Sequence, residues 1–358
     1  MQRFDLIGTQ NATVAEETEN TAQTNIYPEL RQLIKEQGLL NRQPLYYSYK
    51  IISTLSLLAL SITFLVIVDN PWLQLANAAF LAFVYSQSGY VGHDAGHRAV
   101  LRSLRGNEII GLSVSFLLGM SRTWWVKQHN QHHSSPNDLE LDPHTMLFPF
   151  SFSQELALNR SRLMRFAVGY QAFYFVPTLL LEGLAIRLAS FQYLWARRNA
   201  KYARTEFFLM GLHFLLYFGL LFCFLSPWQV LGFFIVHQGL FGLYYGTVFA
   251  PNHKGMLILD NEKPLDFLRT QVLTTRNVKP GPIADFWYGG LNYQIEHHLF
   301  PMMPRNNFGR ARKIIKAFCL NHNISYYETG TFRSYWEILS YLHQVGAPVR
   351  CWPRLKNN

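Results

Sequence analysis

The stretch "IISTLSLLALSITFLVIV", residues 51–68, contains no charged side chain. Together with the tyrosine-rich residues 46–50, it predicts a helix of roughly 34 Å at ~1.5 Å per residue, enough to cross a hydrocarbon core of ~30 Å. After the turn "DNPW", residues 73–92 are again uncharged over their whole length. This pattern is typical of two membrane-spanning helices joined by a short hairpin loop.

A second pair of spans is predicted in the C-terminal half of the chain. Residues 207–250 contain no Asp, Glu, Lys or Arg, and they break once, at Ser226-Pro227. Tyrosine and tryptophan cluster near the ends of these segments, as side chains at membrane interfaces do. The sequence therefore predicts an all-α integral membrane protein. Its four transmembrane helices are expected at about 46–68, 73–92, 206–225 and 228–250, with re-entrant or interfacial helices at 109–121 and 166–189.

Positive charge lies on one side of these predicted spans. The two short connecting loops, "DNPW" and "SP", hold no Lys or Arg, so all 32 of these residues fall on the other side. Because positive charge collects on the cytoplasmic side of membrane proteins, both termini are predicted to be cytoplasmic. The chain then divides into an N-terminal cytosolic segment (1–45), a membrane domain (46–345) and a C-terminal tail (346–358).

Composition agrees with this class and argues against others. Only 15% of the 358 residues are charged, against ~25% in an average soluble domain. The net charge of +10 suits an anionic cytoplasmic leaflet, and no recognised nucleic-acid-binding motif accompanies it. The three cysteines have no paired spacing, which predicts free thiols and argues against a disulfide framework.

Three five-residue windows hold seven of the 13 histidines: "HDAGH" at 93–97, "HNQHH" at 129–133 and "QIEHH" at 294–298. In each window the polar residues are spaced three or four apart, which places them on one helix face. In the predicted topology all three windows emerge on the cytoplasmic side, where they can converge.

Seven imidazoles exceed the ~4 ligands of one zinc ion. They suit two metal ions that accept neutral nitrogen donors, and iron is the natural candidate. Gln294 is either a weak ligand or a hydrogen-bond partner of a ligand, and His253 in "APNHKG" is a possible eighth histidine ligand. The predicted metal ligands are His93, His97, His129, His132, His133, His253, Gln294, His297 and His298.

The other histidines and three aspartates have different predicted roles. Interhelical hydrogen bonding is expected for His213 and His237, which lie within predicted spans. His144, His322 and His343 are expected at the surface. Carboxylates often hydrogen-bond the far nitrogens of ligating histidines, a role open to Asp94, Asp138 and Asp142, although loop capping explains the last two equally well.

The motifs HxxxH, HxxHH and QxxHH, in this order, resemble those of the membrane-bound fatty acid desaturases. "HHSSPNDLELDP" and "GGLNYQIEHHLFPMMPR" extend the similarity, which runs from about residue 45 to about residue 345, and QIEHH resembles the front-end branch and related bacterial acyl-CoA and acyl-lipid enzymes. The resemblance implies four spans beneath a cytosolic helical cap that holds a di-iron site. It also implies an acyl chain in a bent tunnel, O2 as co-substrate and a cis double bond as product.

Electrons for such a reaction come from outside the chain. Many front-end enzymes carry a fused haem domain with an HPGG stretch, which this sequence lacks, and the 45 residues before its first predicted span are too few for one. We therefore expect a separate ferredoxin or cytochrome as donor, with the basic surface as a plausible dock for an acidic carrier.

Two alternatives remain open at the level of sequence. A lipid hydroxylase or ketolase of the same superfamily would share these motifs and differ in its product. A membrane zinc protease or a metal transporter is a more distant alternative. A zinc protease of the HExxH type needs a motif that this chain lacks, and a transporter would place its polar groups within the spans and not at their ends.

Overall fold

The computed structural model describes residues 25–199, 202–259 and 265–350. The predicted segments 1–45 and 346–358 therefore lie partly outside the described residues. Four long helices form the apolar part of the molecule: α2 (Pro44–Ile67), α3 (Pro71–Gly96), α10 (Ala203–Phe224) and α11 (Pro227–Phe249). Three of them begin with proline, whose fixed φ and missing N–H suit the first turn of a helix.

Within the described residues, three helices are long and apolar enough to cross a membrane: Pro44–Ile67, Ala203–Phe224 and Pro227–Asn252, the last continuing α11 through a 3-10 turn. The predicted span 73–92 does form a helix, α3, but its mean hydropathy is too low for it to count among these three. The reason is its polar content, since Gln74, Asn77, Ser86 and Ser88 are buried along it. Counting two sharply bent helix pairs as spans raises the number to five, so the predicted four lies within this range.

Polar side chains fasten α3 to α2. The Asn77 amide donates to the Ser61 carbonyl oxygen at 3.1 Å, and the Ser61 hydroxyl donates to Asn77 Oδ1 at 2.8 Å. Gln74 Nε2 donates to the Val68 carbonyl oxygen, which the end of α2 leaves free, at 2.6 Å. In hydrocarbon such groups need partners, and these contacts provide them within the hairpin.

The two stretches predicted as re-entrant or interfacial, 109–121 and 166–189, overlap two sharply bent pairs of helices. The first pair is α4 (Leu104–Leu118) and α5 (Arg122–Ser134), which meet at 109°; the second pair is α8 (Gln171–Leu179) and α9 (Glu182–Ala196), which meet at 77°. Gly119 ends α4 with a φ of 65°, and the His213 ring leaves no room there for a Cβ. Ser121 then caps α5 by accepting from the Trp124 N–H at 3.1 Å. The bend turns α5 toward the end of α3.

Shorter elements pack into a cap over the ends of the long helices. They are α1 (Tyr27–Glu36), α6 (Gln154–Leu158), α7 (Arg162–Gly169), α12 (Phe267–Leu273), α13 (Pro282–Trp287), α14 (Gln294–Leu299), α15 (Phe308–Asn321), α16 (Thr331–Val345) and the parallel pair β1 (Asn277–Val278) and β2 (Glu328–Thr329). The apolar face of α15 (Phe308, Ala311, Ile315) is buried in the cap core with α1. This helix therefore packs as an amphipathic helix of the protein, and its apolar face is not free for a membrane surface.

Candidate metal centre

Four elements bring the predicted ligands together. His93 lies in the last turn of α3 and His97 is its C-terminal cap. The three histidines of "HNQHH" share one face of α5, and His297 and His298 lie on the short helix α14. His253 follows the 3-10 turn Ala250–Asn252 at the end of α11. The three sequence windows and His253 thus converge, as predicted.

The histidines form two groups. The nitrogens of His93, His97, His129 and His297 lie within 4.8 Å of one another, and so do those of His132, His253 and His298. In the first group His129 Nε2 is 2.8 Å from His97 Nε2. In the second, His132 Nε2 is 3.2 Å from His253 Nε2. All seven side chains are buried.

His133 lies between the two groups. Its Nε2 is 3.1 Å from His129 Nε2 in the first group. Its ring centre lies 4.2 Å from that of His298 in the second group and 4.6 Å from that of His297 in the first. The arrangement is therefore one continuous cluster with two centres of nitrogen donors.

Burial and mutual repulsion keep six of these imidazoles neutral. Burial, followed by the proximity of other imidazoles, holds the pKa values well below the usual range for six of them: His97, His129, His133, His253, His297 and His298. A neutral imidazole presents a lone pair to a metal ion. The electrostatics thus favour the ligand form of histidine over the charged form.

Several of these nitrogens have no partner in the part of the chain that the structure describes. His93 Nε2, His298 Nε2 and both nitrogens of His297 are buried there without a hydrogen bond. Buried polar atoms are nearly always paired, and two lone pairs facing each other across 2.8 Å repel unless a cation or proton lies between them. The donor set and its orphaned nitrogens therefore fit two metal ions that prefer nitrogen ligands, such as iron.

Hydrogen bonds from outside the cluster orient three of the rings. Asp142 Oδ2 accepts from His132 Nδ1 at 2.9 Å, and Asp94 Oδ1 lies 3.1 Å from His93 Nδ1. Burial alone would raise the pKa of Asp142, but the bond from His132 and nearby cations hold it well below its usual range. Gln271 Oε1 accepts from His298 Nδ1 at 2.8 Å. Such bonds leave Nε2 free to face the cluster.

The predictions for Asp142 and Asp138 have different outcomes. Asp142 has the predicted role, since it binds His132. Asp138 instead accepts from the backbone N–H groups of Glu140 and Leu141 at 2.8 and 2.9 Å, so the alternative of loop capping is correct for it. The role of Gln271 was not predicted from the sequence. A glutamine by itself does not indicate a metal site, and this one lies 27 positions before His298.

His144 corrects a prediction. It was expected at the surface, yet its ring centre lies 4.4 Å from that of His132, and it forms a third group with His132 and Asp142. Burial, then His132, lowers the pKa of His144 to about 3. The fold places it there because Asp142 caps the 3-10 turn Pro143–Thr145 by accepting from the His144 N–H. In the sequence, Asp142-Pro143-His144 lies soon after the window 129–133, and this proximity could have indicated that His144 lies near the cluster.

Gln294 and Glu296 occupy different surroundings on α14. Gln294 Nε2 lies 3.0 Å from His253 Nε2, and its Oε1 accepts from Asn252. Glu296 points away from the histidines and accepts from Asn277 Nδ2 at 2.8 Å and from the Tyr326 hydroxyl at 2.6 Å. Burial raises the pKa of Glu296 to about 7. Glu296 therefore anchors the helix that presents His297 and His298.

An apolar cavity adjoins the cluster. It is lined by α3, α4, α5 and α11, with His93 in its wall. Gly89, Gly92 and Gly96 share one face of α3 along it. At Gly92 and Gly96 a Cβ would meet Val114 and Trp125 at 2.7 and 2.6 Å, so glycine permits the close packing there. At Gly89 a Cβ would lie 4.0 Å from the Leu118 side chain, an ordinary van der Waals contact, so a methyl group fits there.

Comparison with known proteins identifies relatives of this chain. A family model described as "Fatty acid desaturase" matches residues 70–330. The Delta(6)-fatty-acid desaturase fat-3 of Caenorhabditis elegans is 31% identical over 331 residues, which cover 86% of this chain and 72% of the relative. The acyl-lipid (9-3)-desaturase of Physcomitrium patens is 28% identical over 89% of this chain and 62% of its own length. Human fatty acid desaturase 3 is 32% identical over 83% of this chain and 67% of its own length.

Proposed function

Because the chain belongs to the fatty acid desaturase family of oxidoreductases, we propose that it is an O2-dependent acyl desaturase. The reaction introduces a cis double bond into a long-chain acyl substrate carried as acyl-CoA or acyl-lipid. One observation carries this proposal: His93 belongs both to the histidine cluster and to the wall of the apolar cavity. A methylene in the cavity can thus come close to the metal centre.

Two iron ions are the cofactor in this proposal. His93, His97, His129 and His297 hold one ion, and His132, His253 and His298 hold the other. His133 lies between them, and Gln294 lies beside His253. Bound iron supplies, with O2, the oxidising power that removal of hydrogen from an unactivated methylene requires. The protein orients the rings of His93, His132 and His298 by outer hydrogen bonds, and burial keeps His97, His129, His133, His253, His297 and His298 neutral, with low pKa values.

The cavity positions the substrate. An alkyl chain has no polar group along its length, so the walls must set which carbon lies nearest the histidines. Trp125 lines the cavity and stacks on His129 with ring centres 4.5 Å apart. The apolar walls exclude water around the reacting carbons, which protects an oxidising site from side reactions. Cavity length and shape therefore determine the position of the double bond.

The proposed topology has four spans with the metal centre on the cytoplasmic side. In it α3 is the fourth span, paired with α2 through the short turn at 68–70. The distribution of all 32 Lys and Arg residues supports cytoplasmic termini. Two electrons per turnover then come from a separate ferredoxin or cytochrome on that side, docked by charge complementarity.

Lipid product analysis tests the proposal. The chain is expressed in a desaturase-deficient host together with a redox partner, fed saturated and polyunsaturated acids, and the double bonds are located by mass spectrometry. We expect a new cis double bond that is absent with the His297→Ala variant. A hydroxylated product would instead assign the chain to hydroxylation. Recovery of unaltered acids from iron-loaded protein with several donors would contradict the proposal.

A further inference from the structure

A buried arginine lies among the long helices without a counter-charge. Arg187, on α9, is only 6% exposed and packs against the middle of α11, where its guanidinium carbon lies 5.4 Å from the centre of the Phe241 ring. Within residues 25–199, 202–259 and 265–350, Arg187 forms no ion pair with a carboxylate. An ionisable side chain buried among membrane helices is costly and usually has a function. Neither the metal centre nor the lining of the apolar cavity includes this one.

The surroundings of Arg187 do not neutralise its charge. The helix α11 contains no acid, and α9 and α10 contain one each, Glu182 and Glu206. Glu206 accepts hydrogen bonds from Ser121 and Thr123. Glu182 lies five positions before Arg187 and therefore on a different face of α9. The titratable side chains around the guanidinium carry no negative charge near pH 7, and they are Tyr85, Tyr217, His213 and His237.

One edge of the guanidinium makes no hydrogen bond. Nη1 of Arg187 donates to the Gly183 carbonyl oxygen at 2.5 Å. Nε and Nη2 are buried and have no partner in the part of the chain that the structure describes. The N–H groups of Nε and Nη2 point the same way and form the fork with which arginine binds anions side-on. The edge of Arg187 that is best suited to an anion is therefore the edge that the protein leaves unbonded.

Other hydrogen-bond donors beside Arg187 are also unpaired. Ser190, three positions further along α9, is fully buried, and its hydroxyl has no partner among the described residues. On α11, His237 Nδ1 accepts from the Gln238 amide at 3.2 Å, so the proton of the neutral ring lies on Nε2, which is unpaired. One acceptor, Gln238 Oε1, is unpaired as well. Unpaired donors thus outnumber unpaired acceptors, and this balance favours an anion.

Arg187 lies behind the wall of the apolar cavity. Ile186 and Phe241 line that cavity, and the Phe241 ring stands between it and the guanidinium. An acyl chain in the cavity therefore meets the aromatic ring and not the charge. Water molecules would satisfy the free N–H groups, but they would not balance a buried charge, whose transfer from solvent is far more costly than that of a neutral polar group.

We infer that the unbonded edge of Arg187 binds a small monovalent anion, either a halide such as chloride or a planar oxyanion the size of formate. Because Arg187, Ser190 and His237 are almost inaccessible to solvent, the ligand is an ion of few atoms, whereas a head group needs an open cleft. One negative charge balances the guanidinium between α9 and α11, so the anion stabilises the packing of these two helices. The site goes beyond the desaturase reaction and requires neither substrate nor electrons.

Anion binding to the iron-loaded full chain in a neutral detergent tests the inference. The chain is purified in sodium gluconate and titrated with radioactive chloride at constant ionic strength. We expect about one displaceable chloride per chain, and a rise of roughly 3 °C in the midpoint of thermal unfolding between about 1 and 150 mM chloride. The same titration with formate compares the two kinds of anion, and the tighter one identifies the ligand as halide or planar oxyanion.

Three variants sharpen this test. Arg187→Met removes the charge and the donors, so we expect no bound anion and a midpoint that no longer depends on chloride. That midpoint should equal or exceed the parent value in gluconate, because an unbalanced buried charge has been removed. Arg187→Lys keeps the charge but lacks the fork, and its affinity should fall roughly tenfold. Arg105→Met, at an exposed arginine on α4, is the matched control and should behave as the parent chain.

Two results would overturn the inference. The first is the absence of saturable chloride or formate binding to the parent chain, with one midpoint in all salts, which would mean that water alone satisfies these groups. The second is equal chloride binding by the parent and Arg187→Met, which would place the ion elsewhere, for example at the iron. If Arg187→Met fails to fold, the parent chain and Arg187→Lys still decide between these outcomes. Because binding requires no turnover, the inference and the proposed function can fail separately.

Discussion

Two sets of buried histidines differ in what faces them. The cap cluster consists of His93, His97, His129, His132, His133, His253, His297 and His298. The span pair consists of His213 on α10 and His237 on α11. Both sets are largely withdrawn from solvent, so burial does not distinguish them. Their partners do.

The span pair faces aromatic and hydroxyl groups. The Tyr217 hydroxyl lies 2.8 Å from His237 Nδ1 and joins α10 to α11, as predicted for interhelical hydrogen bonding. The Tyr85 ring meets the His237 ring edge-on at 4.5 Å, and His213 stacks on Tyr217. Neither histidine belongs to a group of potential metal ligands among the described residues. Convergence of nitrogens from several elements, and not burial, therefore marks a metal site.

The largest expected difference between variants of the cap cluster and of the span pair is in enzymatic activity. His297→Ala removes a buried donor that has no other partner, so we expect product to fall below detection and bound iron to drop, while the chain still inserts into membranes. His237→Ala removes one interhelical contact and should keep iron and most of the activity. Mass spectrometry of products, with metal analysis of the purified variants, measures both. Full activity of His297→Ala would contradict the assignment of the cap cluster.

The next effect concerns the outer hydrogen bonds of the cap cluster. Asp142→Asn weakens the bond that orients His132, and loss of such a partner typically lowers metal affinity about 10–100-fold. Asp138→Asn is the matched control, because Asp138 caps a loop and touches no histidine of the cluster. Competition with a chelator measures iron retention in both. Equal retention would mean that Asp142 acts only in the 3-10 turn that it caps.

A third effect follows from the cavity, which reaches the cap cluster at His93. A leucine at Gly89, which lines the cavity beside Leu118, would fill part of the cavity and displace two or three methylenes of a bound chain, at ~0.8 kcal/mol each. We expect kcat/KM for the longest acyl chains to fall roughly tenfold, with shorter chains less affected and iron unchanged. Gly219→Leu, at an exposed position of α10 with no atom within 4 Å, should change neither. A uniform loss across chain lengths would indicate damage to the helix packing.

The sequence could predict the parts of this molecule that depend on local pattern. Uncharged stretches predicted the long helices, and three-or-four spacing predicted the histidine faces. Partners distant in the chain carried no such pattern. Gln271 reaches His298 from α12, Tyr326 and Asn277 hold Glu296, and Arg305 pairs with Asp94 across 211 positions. The placement of these groups depends on how the cap packs.

The limits of hydropathy are clearest for α3. Its sequence is uncharged over 73–92, yet amide and hydroxyl groups lower its mean hydropathy below that of α2 and α10. The fold buries those groups against α2, α4 and α11. A helix enclosed by other helices needs less apolar surface than one that faces lipid, so local hydropathy underestimates it.

The smallest expected effect concerns the span pair itself. Tyr217→Phe removes the hydroxyl beside His237 and leaves the ring packing in place, so we expect a loss of about 1 kcal/mol in unfolding free energy. In a chain of this size that lowers the midpoint of thermal unfolding in detergent by about 2 °C. Tyr49→Phe, at a tyrosine that is 65% exposed, should leave the midpoint unchanged. Iron content should be the same in both variants, because the hydroxyl stabilises a contact between two helices and holds no metal. Loss of iron from Tyr217→Phe would show instead that the span pair and the cap cluster are coupled, and the division between them would fail.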